Sequence, residues 1–291
     1  MFTEWSYTDQ KGELIGIRIM GILQRIAIAY FFAAVIIHYF KVKGSFLIAC
    51  FILLFYWFLC YITNPSDPYG IHGWFGTDVD KYLMGSEHLS HGSIREGDKS
   101  LAFDPEGIAS SLGPVAQVIL GYICGHYIIK KGKNHEMING LFAAGAVLMF
   151  IGYAWGLVFP INKRIWTSSY VVYTTGMAMT IFALMIYLIE LKNKRTWLDK
   201  AFNSFGKNPL FIFMLSAFIP RTTNLIRIPM GFADDGSRIY TTPLRWFYQK
   251  VCKPVFPDNL EAGSLLYALA WIFMMWLIVH WMDKKKIYIK V

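Results

Sequence analysis

The chain has 291 residues, of which 55% are apolar and only 16% are charged, against roughly a quarter in average soluble domains. This composition excludes a disordered chain, and the long apolar blocks argue against a soluble protein with a single core. The net charge of +9 could indicate nucleic-acid binding. However, the basic residues lie between apolar blocks rather than on one soluble face, so we expect no nucleic-acid partner.

Seven apolar blocks are long enough to cross a lipid bilayer, whose core requires about 20 helical residues. The sixth block is the weakest, because Pro220 and Arg221 interrupt it. The sequence therefore predicts an all-α, polytopic membrane protein that forms a single integral-membrane domain over residues 1–291. The predicted spans are residues 19–40, 44–63, 108–129, 138–159, 167–189, 208–226 and 263–282.

The distribution of lysine and arginine predicts the orientation of these spans. Short loops that are rich in basic residues, such as residues 130–133, alternate with loops that hold most of the acidic residues. Because short basic loops remain in the cytoplasm, we expect a cytoplasmic C-terminus and, with seven spans, an N-terminus outside. Two long segments, residues 64–103 and 221–262, then face outward, and their aromatic residues favour an ordered structure.

Several polar and charged residues lie within the predicted spans or at their ends, where they are costly unless they are paired or functional. Burying a charge in hydrocarbon costs at least about 2.5–3.5 kcal/mol, so Arg25 in the first span either anchors an anionic group or pairs with an acid. Asp104 and Glu106 begin the third span, where they could cap the helix or hold a cationic amine. Lys163 and its basic neighbour lie in a short outward turn, which indicates either a bound anion or salt bridges.

Two further residues have simple structural interpretations. Asn208 precedes a proline at the entrance of the sixth span, which is typical of a helix N-cap. His88 shares the first long segment with acidic residues and has no metal-ligand spacing, so we expect a surface histidine there. The four cysteines show no metal-binding pattern either, so we expect free thiols and no metal cofactor.

Four stretches give the chain a resemblance to the heparan-alpha-glucosaminide N-acetyltransferase family and its bacterial relatives. Their order and spacing agree from Arg18 to the end of the chain. The combination of the third and fourth stretches is the most specific. The stretches are residues 18–25 (RIMGILQR), 80–88 (DKYLMGSEH), 103–108 (FDPEGI) and 160–170 (PINKRIWTSSY).

This resemblance implies transfer of an acetyl group from cytosolic acetyl-CoA to the amine of a glucosamine-type sugar on the outer face. Acyl transfer requires a base for the ammonium proton and hydrogen-bond donors for the thioester oxygen. The implied catalytic residues are Asn162, Lys163, Asp104 and Glu106. The implied substrate-binding residues are Gln24, Arg25, His88, Trp166, Tyr170 and Asn208.

The chain also departs from the family pattern. The family's catalytic histidine segment lies upstream of the first motif, whereas this chain begins 17 residues before Arg18, and Ser216 stands where some members have histidine. We therefore expect a sequence that lacks the family's N-terminal helices, and enzymatic activity stays open. The alternatives are a sugar transporter component and a non-catalytic membrane protein of the same fold. We expect a bacterial inner membrane, and the sequence is compatible with a homo-oligomer.

Overall fold

The computed structural model describes residues 6–8, 14–70, 72–90, 95–96, 99–100, 102–194, 196–232 and 238–289. The chain divides into two compact units, Met1–Asn193 and Lys194–Val291, and each is described here by itself. The expectation of one integral-membrane domain over the whole chain stays a prediction.

Within the described ranges, five helices are long and apolar enough to cross a membrane. A shorter apolar helix, α7, has 15 residues. The helices of the first unit are α1 (Ile22–Thr63), α2 (Phe75–Met84), α3 (Leu112–Lys131), α4 (His135–Gly156) and α5 (Ser168–Ile186). A 3₁₀ turn, Ala109–Ser111, leads into α3, and a π-helical turn, Tyr187–Leu191, extends α5. The second unit contains α6 (Trp197–Lys207), α7 (Pro209–Thr223), α8 (Pro243–Phe247), α9 (Lys253–Val255) and α10 (Leu260–Lys284).

Helix α1 contains the first two predicted spans and is broken at Lys41. This residue has φ 56° and ψ −168°, which is not a helical conformation. A straight helix would hold Arg25 and Tyr56 about 47 Å apart, at 1.5 Å per residue. Instead Arg25 lies over the ring of Trp166, while Tyr56 bonds the carbonyl of the preceding residue, Ile165. The chain therefore reverses near Lys41, and each predicted span corresponds to a helical segment.

Small residues allow the helices of the first unit to approach closely, as is usual in membranes. Ala33, Ala49 and Ala116 are fully buried in one cluster formed by α1, α3 and α5. Between α4 and α5, a Cβ added to Gly176 would lie 2.6 Å from the carbonyl oxygen of Gly145. Large apolar side chains project outward instead, which supports an integral membrane protein.

The helix ends of the first unit form two groups. At one end, Lys133 pairs with Glu190 at 2.5 Å and joins the α3–α4 turn to the end of α5. At the other end, the start of α1 meets the segments that precede α3 and α5. The predicted alternation of helix ends is thus present in the first unit, while the membrane side of each end stays a prediction.

The two long segments are ordered where they are described, as their aromatic content predicted. The first contains α2, and Trp74 and Phe103 are buried there. Three short antiparallel hairpins, which the all-α prediction omitted, occur among the described residues. They are β1 (Ser6–Thr8) with β2 (Leu14–Gly16), β3 (Arg95–Glu96) with β4 (Lys99–Ser100), and β5 (Ile228–Phe232) with β6 (Arg238–Thr241).

The reversal at Lys41 gives a first test of the fold. We expect Lys41→Gly to stabilise the protein by about 1 kcal/mol, because glycine adopts a positive φ without the clash of a Cβ atom. Lys43→Gly removes the same charge from a helical position and should destabilise the protein by a similar amount. The apparent melting temperature of each variant in detergent measures the difference. Equal effects of the two substitutions would contradict a strained reversal at Lys41.

Candidate functional site

A salt bridge between Arg18 and Asp104 lies at the centre of the candidate site. The Nε of Arg18 donates to Oδ2 of Asp104 at 2.8 Å, and its Nη2 donates to Oδ1 at 2.5 Å. The same Nη2 also bonds the carboxylate of Glu106. The hydrogen bond to Asp104 raises the pKa of Arg18 above its usual value, although burial opposes this shift. The Asp104 side chain is fully buried, so its charge is balanced inside the protein.

Arg25 joins the same cluster from α1. Its Nη1 donates to the carbonyl oxygen of Pro105 at 2.8 Å, and its Nη2 lies 4.0 Å from Oε1 of Glu106. Its guanidinium lies over the Trp166 ring, 4.1 Å from the centroid, where a cation–π interaction is favourable. The alternative in which Arg25 pairs with an acid is therefore the arrangement seen here, and the partner is Glu106.

Trp166 connects the charged cluster to α3 and α5. Its Nε1 donates to Oε1 of Gln117 at 3.0 Å, and its ring packs edge-on against Tyr170 at 5.1 Å. Its φ of 54° brings its backbone against α3, where a Cβ on Gly113 would lie 2.6 Å from the Trp166 oxygen. The sequence analysis missed Gln117 as a site residue, although a glutamine within an apolar span was the available signal.

Asn162 shapes the turn that precedes α5. Its Oδ1 accepts a hydrogen bond from the backbone N–H of Arg164 at 2.8 Å, and its own N–H donates to Thr167 Oγ1 at 3.0 Å. Among the described residues, no hydrogen bond involves its Nδ2. Lys163 and Arg164 are exposed and form no ion pair with a described acid, so the predicted salt bridges are not present there.

Asp80 and His88, from the first long segment, contact the segments that carry the cluster. Oδ1 of Asp80 accepts the backbone N–H of Ala109 at 3.0 Å, at the 3₁₀ turn before α3. Its Oδ2 is buried against Gly107, where a Cβ would come within 1.8 Å. Nδ1 of the buried His88 lies 2.9 Å from the carbonyl oxygen of Ile17, directly before Arg18. The expectation of a surface histidine is therefore wrong, because the His88 ring is fully buried and contacts the backbone of Ile17. A substrate contact for His88 stays a prediction.

Two further predicted site residues are Gln24 and Asn208. Gln24 is exposed on α1. Asn208 belongs to the second unit and occupies the N-cap position of α7, but its side chain does not cap that helix. Its Oδ1 instead accepts from the N–H of Ile289 at 2.8 Å, and its Nδ2 donates to the carbonyl oxygen of Ile287 at 3.1 Å. The described residues contain no group of three or more histidines, cysteines or acids that could hold a metal ion.

Asp80 gives a test of how the support of the site responds to pH. Burial raises the pKa of Asp80 to about 6 from its usual 3.8, so its ionised form is disfavoured in the folded protein. Its contribution to stability is therefore full below about pH 4 and is lost as the pH rises through 6. Relative to that of Asp80→Asn, the free energy of unfolding of the wild type should fall by up to about 3 kcal/mol between pH 4 and 7.

Apparent unfolding midpoints in detergent, measured from pH 4 to 7, test this expectation. Asp78→Asn, at an exposed position of the same helix, is the matched control and should follow the wild-type pH dependence. A constant difference between wild type and Asp80→Asn over this range would contradict the assignment.

Comparison with known proteins gives this geometry a context. No protein-family model matches the chain. The chain is 26% identical over 145 residues to heparan-alpha-glucosaminide N-acetyltransferase of Homo sapiens, and 27% identical over 146 residues to that of Mus musculus. Each match covers 47% of this chain and 22% of the relative, so it spans less than a quarter of the relatives' length. The chain is thus a distant relative of the heparan-alpha-glucosaminide N-acetyltransferases.

Proposed function

We propose that this protein is a membrane N-acetyltransferase that moves an acetyl group from cytosolic acetyl-CoA to the amine of a glucosamine-type sugar on the outer face. The observation that carries this proposal is the distant relationship to two acetyltransferases that act on a glucosaminide. The long apolar helices indicate an integral membrane protein, and in this proposal the membrane separates the donor from the acceptor.

In this proposal the amine of the sugar approaches the carboxylate of Glu106. Transfer requires that the ammonium group first lose a proton to a base. The neutral nitrogen then attacks the thioester carbon and the C–N bond forms. The nitrogen gives up its second proton, the C–S bond breaks, and the released thiolate takes up a proton. The Glu106 side chain retains 18% of its exposure and can serve as the base, whereas Asp104 is fully buried and holds Arg18 in place.

Asn162 and Lys163 are the proposed donors to the oxyanion that forms on the thioester carbonyl. The hydrogen bond from the Arg164 N–H fixes Oδ1 of Asn162 and leaves its Nδ2 as a donor. The Lys163 side chain is exposed on the same turn. Hydrogen-bond donors that are already in place around a developing negative charge contribute a large part of the rate enhancement in acyl transfer.

Aromatic and polar side chains complete the proposed acceptor site. Trp166 and Tyr170 would pack against the apolar face of the sugar ring, and Arg25 with Gln24 would orient the acyl group. His88 and Asn208 are buried and bonded to backbone groups, so we propose that they position the segments they hold.

The proposed orientation places the basic helix ends in the cytoplasm and the Arg18 cluster outside, in a bacterial inner membrane. The lysines near residues 130–133 would attract the phosphates of CoA, so the acetyl group must pass between the helices to reach the turn that holds Asn162 and Lys163. Under this arrangement both the C-terminus and the donor face the cytoplasm. A homo-oligomer is compatible with the proposal.

Cysteine labelling tests this orientation. In intact cells, a membrane-impermeant maleimide should label Arg164→Cys, because this exposed turn faces outward in the proposal. Lys133→Cys should be labelled only after the membrane is opened. The wild type, whose four cysteines are buried or half-buried, gives the background. The opposite pattern of labelling would reverse the orientation and remove the proposed cytosolic site for acetyl-CoA.

Transfer itself can be measured with the protein in vesicles, with radiolabelled acetyl-CoA on one side and glucosamine on the other. We expect labelled N-acetylglucosamine from the wild type. Lys163→Ala should lower the rate at least tenfold, since a single oxyanion donor is typically worth more than that. Arg164→Ala, which removes an equally exposed charge from the adjacent position, is the matched control and should retain the rate.

Asn162→Asp refines the same experiment. It keeps an acceptor for the Arg164 N–H, so the turn and the melting temperature should be preserved, but it removes the Nδ2 donor. A similar loss of rate is expected. Without any labelled product from the wild type, the proposed function is wrong. Equal rates for Lys163→Ala and Arg164→Ala would remove only the role of Lys163.

A further inference from the structure

A polar cavity in the second unit lies where α7 ends and the β5–β6 hairpin meets α8. Its volume is about 240 Å³, which is room for one small charged group and its immediate substituents. Two arginines line it, together with side chains that carry hydrogen-bond donors. The lining residues are Asn224, Arg227, Tyr240, Thr241, Thr242 and Arg245.

No acid among the described residues compensates the charge of this cavity. Arg227 and Arg245 form no ion pair with an acid among the residues that the structure describes, and no acidic residue lines the cavity. Arg227 and Arg245 are both exposed, so water screens part of their mutual repulsion, and an anion held between them would remove the rest. The cavity therefore has the chemistry of an anion site.

Thr241 gives a second and independent indication. Its side chain is buried, with 7% exposure, and its Oγ1 has no hydrogen-bond partner within the described structure. A buried hydroxyl without a partner usually costs about 1–3 kcal/mol. Because the Thr241 side chain lines the cavity, rotation about its χ1 would present this hydroxyl to a bound oxyanion, which would also accept from the two arginines.

The surroundings of the cavity indicate the source of the anion. Leu225 and Ile226 lie between the lining residues Asn224 and Arg227, directly after the apolar helix α7, and they are 82% and 54% exposed. Large apolar side chains beside basic groups at the end of such a helix match a bilayer surface, where an acyl chain and a headgroup phosphate meet. Apolar side chains at the rim would contribute nothing to the binding of a soluble anion.

We propose that this cavity binds the phosphate of an anionic phospholipid headgroup, with Arg227, Arg245 and the Thr241 hydroxyl as its ligands. Leu225 and Ile226 contact the lipid chain beside it. The inference stands independently of the proposed acetyl transfer, because it rests only on the residues of this cavity and its rim.

The test uses the full chain in a neutral detergent and native mass spectrometry with phosphatidylglycerol, phosphatidylcholine or inorganic phosphate. We expect one phosphatidylglycerol to be retained per chain, with binding at least tenfold tighter than that of phosphatidylcholine. The double variant Arg227→Gln/Arg245→Gln should lose this preference. Arg221→Gln, which removes an exposed charge of α7 outside the cavity, is the matched control and should keep it.

Thr241→Val distinguishes a ligand from a structural residue. It should weaken lipid binding several-fold and yet raise the melting temperature of the lipid-free protein, because it removes the unsatisfied hydroxyl. Retained lipid preference in the folded arginine double variant would overturn the site. Binding of inorganic phosphate as tight as that of phosphatidylglycerol would assign the cavity to a soluble anion and overturn the lipid proposal.

Discussion

The cost of placing a guanidinium in an apolar helix controls how the first unit is built. Arg25 lies on α1, and it is stable there only because other segments supply a carbonyl oxygen, a carboxylate and an aromatic face. These partners come from the segment before α3 and from the turn before α5. Three segments distant in sequence are thereby fixed to one another by one side chain.

Several local features follow from this convergence. The reversal near Lys41 brings the end of α1 back to the same turn, where Tyr56 donates to the carbonyl of Ile165 at 2.6 Å. Trp166 has a positive φ, and Gly113 leaves space for its backbone. The turn therefore offers little conformational freedom, and groups placed on it are held before any ligand arrives.

The sequence was sufficient for the long apolar helices but not for the pairings. Span length and apolar content predicted the five described helices that are long and apolar enough to cross a membrane, because the bilayer imposes its thickness on the chain. The sequence left open whether Arg25 anchors an anionic group or pairs with an acid, because its partner depends on the packing of distant segments. The amide of Asn208 was taken for a cap because the downstream residues Ile287 and Ile289, which it bonds instead, cannot be inferred from local pattern.

The two acids of the cluster, Asp104 and Glu106, lie two residues apart in the sequence but differ in their hydrogen bonds and exposure. Both oxygens of Asp104 are occupied, because Arg18 bonds each of them and the N–H of Glu106 bonds Oδ1 as well. Glu106 bonds Arg18 through one oxygen, while its other oxygen lies 4.0 Å from Arg25, beyond direct hydrogen-bond distance. The Asp104 side chain is fully buried, whereas that of Glu106 is 18% exposed, so Glu106 offers the accessible oxygen to an incoming ammonium. In the proposed mechanism Asp104 therefore fixes Arg18, while Glu106 accepts the proton of the substrate amine.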